Sequence, residues 1–131
     1  MSAACFPGGR RSACKLAWIN CSPRSIRRNG SLDLKGPNAD FVLGDTATAI
    51  IRAAHARGIR VLASFVSGGY ENNRALFSDP TATARFVDQA ARLVAVRGLD
   101  GADLDVELIR KAQFASWATT AATLRARLRT E

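Results

Sequence analysis

The sequence has few of the residues that give small proteins covalent or metal-based stability. It holds only three cysteines, Cys5, Cys14 and Cys21, and an odd number excludes a closed set of disulfides within one chain. The single histidine, His55, is distant from them, and the cysteine spacing matches no zinc motif. We therefore interpret the three cysteines as incidental thiols.

Long hydrophobic runs are also missing. No stretch approaches the ~18 apolar residues of a membrane span, and the N-terminus lacks the apolar run of about 7–15 residues that marks a secretory signal. The chain has 131 residues, of which 47% are hydrophobic and 23% charged. These values are ordinary for a soluble globular protein and allow one modest domain with a core.

Acidic residues are scarce at the start of the chain. Residues 1–36 contain seven basic residues against one acidic residue, and so carry +6 of the net charge of +8. A basic arm suits nucleic acid or acidic lipid. This one shows no helical periodicity and no regular alternation of aromatic with basic residues. We therefore interpret residues 1–36 as an irregular basic leader with a possible strand at 16–21, and predict neither a nucleic-acid nor a membrane partner.

The sequence becomes orderly from about residue 44, where strand-like and helix-like segments alternate. The predicted elements are a helix with Asp45 as its N-cap, a strand over Ile59–Val66, a loop over Ser67–Tyr70, a helix beginning at Asp79–Pro80 and ending at Gly98, a strand over residues 98–107, and a helix from about Ala112 that includes Phe114 and Trp117 on its apolar face. Such alternation predicts an α/β fold with a parallel sheet and right-handed crossovers. The nearly continuous apolar residues of strand 59–66 favour a sheet covered on both faces.

Two architectures share this pattern, an open doubly wound sheet and a closed (β/α)₈ TIM barrel. A closed barrel usually needs about 200 residues or more. If the chain belongs to a barrel, it is a partial barrel of about three βα units, and residues 37–131 form part of one domain. Because an incomplete barrel leaves an open strand edge, we expect low stability or self-association of this chain.

The most informative segment is the acidic run over residues 98–107. Side chains alternate between the faces of a strand, so Asp103, Asp105 and Glu107 share one face. Burying even one unpaired carboxylate costs several kcal/mol, so a strand that only needed to pack would not carry three. The apolar residues that alternate with these acids share the other face: Leu104, Val106 and Leu108.

This acidic run predicts a functional site at the carboxyl ends of the parallel strands. Function collects at the carboxyl ends of parallel strands, where Gly68 and Gly69 follow one strand and Glu107 ends the next. We therefore expect these residues to meet in one pocket, with Tyr70 as a stacking platform or a rim residue. Glu107 suits proton donation. The pattern Asp-x-Asp-x-Glu also suits Mg²⁺, although matching acids from other strands are not visible.

The residues 100–107, Asp-Gly-Ala-Asp-Leu-Asp-Val-Glu, match in full the D-G-x-D-x-D-x-E motif of glycoside hydrolase family 18, the chitinase family. Ile59–Tyr70 is similar to the family's preceding strand and its glycine turn, with a different spacing between Ser64 and the glycines. The resemblance is good over residues 45–130 and weak over residues 16–44. The chain thus resembles an N-terminal fragment of a family 18 catalytic barrel.

The resemblance implies substrate-assisted, retaining cleavage of β-1,4-linked N-acetylglucosamine polymers such as chitin. Glu107 would be the acid and base, Asp105 would orient the substrate acetamide, and Asp103 would share a proton or hydrogen bond with Asp105. Gly68, Gly69 and Tyr70 would bind substrate. Asp100 would be structural, no metal or other cofactor would be needed, and the location would be extracellular.

Two rivals stay open, a chitin- or sugar-binding module without catalysis and a Mg²⁺-dependent barrel enzyme. Retention of Glu107 disfavours the first, because binding alone does not need the acid. Of the remaining polar and aromatic residues, we expect His55 to face solvent and Trp117 to pack within the protein.

Overall fold

The computed structural model describes residues 15–20, 25–35 and 37–130, which form a three-stranded sheet with helices between the strands. In chain order the elements are β1 Leu16–Asn20, α1 Pro37–Leu43, α2 Asp45–His55, β2 Arg60–Gly68, α3 Tyr70–Ser78, α4 Pro80–Arg97, β3 Gly101–Glu107, a short 3₁₀ helix Lys111–Gln113 and α5 Phe114–Arg127. None of the helices in this part of the chain combines the length and hydropathy needed to cross a membrane.

The strands are parallel and lie in the order β1-β2-β3, so the predicted parallel sheet is confirmed. Right-handed crossovers that always step in the same direction place their helices on the same face of the sheet. A doubly wound sheet instead reverses its strand order at a switch point. The three described strands show no reversal, an order that is consistent with a segment of a barrel.

One face of the sheet packs against the helices and holds the core. We call it the helix face, and it consists of Ile19 in β1, Val61, Ala63, Phe65 and Ser67 in β2, and Leu104 and Val106 in β3. Phe65 is fully buried, and its ring meets the edge of Phe86 from α4 with the centroids 5.7 Å apart. The burial of such aromatic rings supplies much of the hydrophobic free energy that holds α4 to the sheet.

Helix α4 begins and ends as the sequence predicts. The Asp79 carboxylate accepts a hydrogen bond from the Thr81 main-chain N–H at 2.8 Å, and Pro80 occupies the first helical position. Gly98 follows the last turn in the left-handed conformation, with φ of 65°. These local signals act within a few residues, which is why the sequence alone predicts them.

Other predicted boundaries are wrong. The N-cap of α2 is Gly44, and Asp45 is its first helical residue. The predicted loop over 67–70 is absent, because β2 continues to Gly68 and α3 starts at Tyr70. Helix α3 was missed because its two asparagines are typical of turns and caps. In α5, Trp117 packs against the core as predicted, whereas Phe114 is exposed.

Part of the predicted leader belongs to the fold. The possible strand at 16–21 is found as β1, and residues 25–35 follow with a hairpin that pairs Ile26 with Leu32 in antiparallel fashion. Both residues enter the hydrophobic core. The three cysteines, which we interpreted as incidental thiols, lie outside the described residues. The boundary at residue 36 stays a prediction.

Candidate active site

The face opposite the helices carries the acidic residues, as the alternation along β3 predicts. We call it the acidic face, and it consists of Trp18 in β1, Leu62, Ser64, Val66 and Gly68 in β2, and Asp103, Asp105 and Glu107 in β3. Asp105 and Glu107 are exposed, and Asp103 is partly buried. The sequence predicted a sheet that is covered on both faces. This is true of the central strand β2, where Ser64 and Val66 are buried, but not of the outer strands, where Trp18 and Asp105 are exposed.

Gly68 neighbours the acid as predicted, whereas a pocket shared by both glycines and Glu107 stays a prediction. Gly68 is the register partner of Glu107, on strands that lie about 4.8 Å apart. A Cβ built on Gly68 or on Gly69 would meet no atom within 4 Å, so both glycines border open space. Gly69 has a φ of 94°, which glycine adopts without strain, and it caps the start of α3. A ligand can therefore approach this backbone beside Glu107.

Asp103 is the acid held within the sheet. Its Oδ2 accepts a hydrogen bond from the Ser64 hydroxyl at 3.1 Å. Asp105 and Glu107 follow at two-residue steps of about 6.6 Å each along the same face. The three carboxylates thus form a row that starts at a hydrogen-bonded aspartate and ends at an exposed glutamate beside Gly68.

A buried asparagine on α3 holds the end of β3 in place. Asn73 is fully buried, accepts a 2.5 Å hydrogen bond from the Ser67 hydroxyl, and donates one of 2.5 Å to the main-chain oxygen of Glu107. The same amide also donates to the main-chain oxygen of Leu108 at 3.4 Å. Asn73 therefore links the ends of β2 and β3 beneath the candidate acid. Sequence reasoning missed it, although two asparagines close behind two glycines were a usable signal.

The chain turns sharply after Glu107. Leu108 has a φ of 59°, in the left-handed region that a non-glycine residue enters at a cost of about 1–3 kcal/mol. Leu108 was predicted to continue the apolar side of the strand, but β3 ends at Glu107 and the Leu108 side chain is exposed. Strained backbone that is held by surrounding contacts clusters at functional sites. The hydrogen bond from Asn73 supplies such a contact here.

Tyr70 and Arg110 lie together near the ends of the strands. The Arg110 guanidinium carbon lies 4.6 Å from the centre of the Tyr70 ring, a cation–π contact. Tyr70 is half-exposed and is the first residue of α3, directly after Gly69. One face of this predicted stacking residue is thus occupied by an arginine of the same chain.

Asp100, at the start of the acidic run, has a structural role at the other end of the sheet. Its Oδ2 accepts hydrogen bonds from the Val61 main-chain N–H at 2.7 Å and pairs with His55 Nε2 at 2.8 Å. This agrees with the role that the resemblance implies for Asp100. His55 is exposed as expected, but it is not free in solvent because it contacts this carboxylate.

The rival magnesium site would need acidic or histidine ligands gathered at one point. Within residues 15–20, 25–35 and 37–130, no three His, Cys, Asp or Glu side chains come together as a group that could hold a metal ion. The expectation that no metal is required stays a prediction.

The fold is similar to that of several solved glycosidases, whereas no protein-family model and no curated protein matches the sequence. A chitinase from Bacteroides thetaiotaomicron is 22% identical with a TM-score of 0.65, over 82% of this chain and 33% of that one. A Bacillus subtilis protein described as a sporulation-specific glycosylase is 24% identical with a TM-score of 0.67, over 83% and 38%. A chitinase from Rhizomucor miehei is 18% identical with a TM-score of 0.62, over 88% and 44%.

These likenesses show a shared fold. The chain spans between a third and less than half of the length of these proteins, which is consistent with a fragment. The resemblance to chitinases and chitinase-like glycosylases that the sequence predicts is confirmed at the level of the fold.

Proposed function

We propose that this chain is part of the catalytic domain of a glycoside hydrolase that cleaves β-1,4-linked N-acetylglucosamine polymers such as chitin with retention of configuration. The observation that carries the proposal is the row of three carboxylates on the acidic face, which ends at Glu107 beside Gly68. The structural likeness to chitinases supports it. The complete domain would be a (β/α)₈ barrel, and the acidic face would line its interior.

Glu107 is the proposed general acid and base. Its carboxyl group protonates the glycosidic oxygen, the bond from that oxygen to the sugar C1 breaks, and the leaving sugar departs as an alcohol. The acetamide oxygen of the remaining sugar attacks C1 and forms an oxazolinium ion. The Glu107 carboxylate then takes a proton from water, which attacks C1, reopens the ring of the intermediate and leaves the configuration retained.

Asp105 and Asp103 serve the acetamide in this scheme. Asp105 lies one side-chain step behind Glu107 on the acidic face, where it orients the acetamide and stabilises the positive charge of the oxazolinium ion. Asp103 shares a proton or hydrogen bond with Asp105. The hydroxyl of Ser64, which donates to Asp103 Oδ2, holds that aspartate in orientation.

Gly68, Gly69 and Tyr70 are the proposed substrate-binding residues. The open space over both glycines lets a sugar lie against the backbone next to Glu107. Tyr70 contributes the rim of the site, with the ring face that Arg110 leaves free available for a sugar.

The test is hydrolysis of chitin oligosaccharides by the protein that contains this chain at its full length. We expect Glu107→Gln to reduce the rate by about 10²- to 10⁴-fold, the range typical of lost acid–base catalysis. Glu71→Gln is the matched control, because Glu71 is an exposed glutamate of α3 that pairs with Arg74. Product analysis by proton NMR should show retention, and the rate should not respond to a chelator.

Other outcomes favour the rivals. Tight oligosaccharide binding with no turnover by the unaltered protein would identify a sugar-binding module. Loss of turnover with EDTA would identify a metal-dependent enzyme. Equal rates for Glu107→Gln and Glu71→Gln would contradict the proposed role of Glu107.

A further inference from the structure

A second feature of the strand ends is a cleft of about 570 Å³ on the side of Gly68 toward β1. Its volume lies within the ~300–1,000 Å³ of small-molecule sites. The residues of its lining that matter here are Arg27, Arg28, Asp33, Gly68 and Asn72. We call it the arginine cleft. Gly68 belongs both to its wall and to the acidic face, so the cleft adjoins the candidate acid.

The two arginines stand on a hairpin turn that is held firmly. Gly30 in this turn has a φ of 80°, and a Cβ there would lie 1.8 Å from the main-chain oxygen of Ala82 in α4. The turn therefore presses directly on that helix. Arg85 of α4 also donates a 2.7 Å hydrogen bond to the main-chain oxygen of Asn29. The hairpin that forms one wall of the cleft is therefore packed against helix α4.

The charges of the arginine cleft do not cancel. Arg27 lies 3.1 Å from Asp33 Oδ1 as an ion pair, without the geometry of a hydrogen bond to that oxygen. Arg28 is exposed and has no hydrogen-bond or ion-pair partner within the described ranges. One positive charge therefore remains available to a ligand.

The cleft and the acid are joined by the asparagine pair of α3. Asn72 lines the cleft and donates hydrogen bonds to the Ser67 hydroxyl at 2.9 Å and to the main-chain oxygen of Ile26 at 3.3 Å. Its neighbour Asn73 holds the main chain of Glu107. A polymer with its scissile bond at Glu107 would pass over Gly68 and reach the arginine cleft.

We propose that the arginine cleft binds a carboxylate of the glycan, and that the preferred substrate is an acidic amino-sugar polymer rather than uncharged chitin. This inference rests on the proposed function and narrows its substrate, because cleavage stays at Glu107 on a β-1,4-linked amino-sugar polymer that also carries carboxylates. A guanidinium matches a carboxylate through paired N–H donors. One uncompensated positive charge fits one carboxylate, which selects a monoanionic substituent over a dianionic phosphate.

The experiment measures binding by calorimetry to the Glu107→Gln variant of the protein that contains this chain at its full length, so that no ligand is consumed. One ligand is an oligosaccharide of N-acetylglucosamine in which alternate residues carry a 3-O-lactyl carboxylate, and the other is the same oligosaccharide with those carboxylates reduced to alcohols. We expect the acidic ligand to bind about fivefold more tightly. Added salt should narrow this difference, because it screens exposed charges.

The Arg28→Gln substitution should remove the difference in affinity between the acidic and the reduced ligand. Arg60→Gln is the matched control, because Arg60 starts β2 and lies eight residues from Gly68, about 26 Å along the strand. The Arg60→Gln protein should still bind the acidic ligand more tightly than the reduced one. Comparing the two ligands tests carboxylate binding without any substitution at the cleft. The inference can therefore be contradicted even if Arg28→Gln fails to fold.

Two results overturn it. Equal affinity for both ligands in the unaltered cleft excludes a carboxylate site, and so does a preference that Arg28→Gln leaves intact. In either case hydrolysis of chitin that depends on Glu107 would leave the proposed function standing. Conversely, a carboxylate preference that depends on Arg28, in a protein that hydrolyses chitin equally well with Glu107→Gln, would contradict the proposed function alone.

Discussion

The two faces of the sheet consist of side chains from the same three strands but differ in composition and burial. On the helix face Phe65 is 0% exposed and packs against Phe86, whereas on the acidic face Trp18 is 58% exposed. Strand β3 contributes to both, since Leu104 packs against the core and the next residue, Asp105, is exposed. The comparison teaches that stability and chemistry can be divided within one strand, residue by residue.

The division has a physical origin in the connections. Crossovers that step in one direction put all their helices on one face, and that face gains most of the hydrophobic burial. The acidic face can therefore carry polar side chains, which gain no free energy from burial. Carboxylates kept exposed there avoid the desolvation penalty that three acids in a core would carry.

The largest expected effect tests whether the helix face carries most of the hydrophobic core. Phe65→Ala should lower the free energy of unfolding by about 3–5 kcal/mol, because it leaves a cavity against Phe86. The matched change on the acidic face, Trp18→Ala, should cost far less. Chemical denaturation followed by circular dichroism measures both. Similar losses for the two variants would break the comparison.

The next effect concerns the buried polar contact between α3 and the ends of β2 and β3. Asn73→Ala should cost about 2 kcal/mol, because the Ser67 hydroxyl and the Glu107 main-chain oxygen lose their buried partner. Asn38→Ala, at an exposed position of α1, is the control. Hydrogen exchange should also quicken at the end of β3. If Asn73→Ala matches its control, Asn73 does not hold the strand ends together.

A smaller loss is expected where the helix face depends on a cap. Asp79→Ala should cost about 1 kcal/mol, because the Thr81 N–H loses its acceptor and α4 begins less firmly. Asp88→Ala, at an exposed position within α4, should be nearly neutral, because its ion pair with Arg127 spans 4.0 Å and both side chains are exposed. Thermal melts of the two variants give the comparison, and equal melting temperatures would mean that the cap contributes nothing measurable.

The smallest expected effect sharpens the role of the acidic face. Glu107→Gln should change the free energy of unfolding by less than about 0.5 kcal/mol, because the side chain is exposed and forms no ion pair within the described residues. The same denaturation experiment measures it. A large loss of stability would show that Glu107 is structural, and a large gain would point to relief of repulsion along the acid row.

Several parts of the site could be predicted from the sequence because they depend on neighbouring residues only. The shared face of Asp103, Asp105 and Glu107 follows from the alternation of side chains in any strand. Helix α3 could not be predicted, since its asparagines favour turns in isolation. Asn73 is nonetheless helical because its amide contacts Ser67 and Glu107, and the latter partner is 34 positions away.

Local sequence was enough to establish alternating strands and helices, the cap of α4 and the row of acids along β3, since each depends on backbone geometry within one element. Tertiary structure established which strands are neighbours, that Gly68 lies beside Glu107, and that Arg28 lines a cleft together with Gly68. Those positions follow from hydrogen bonds and packing between residues far apart in the chain, such as Ser64 and Asp103, 39 positions apart. Contacts of that kind depend on the whole core having formed, and no short segment encodes them.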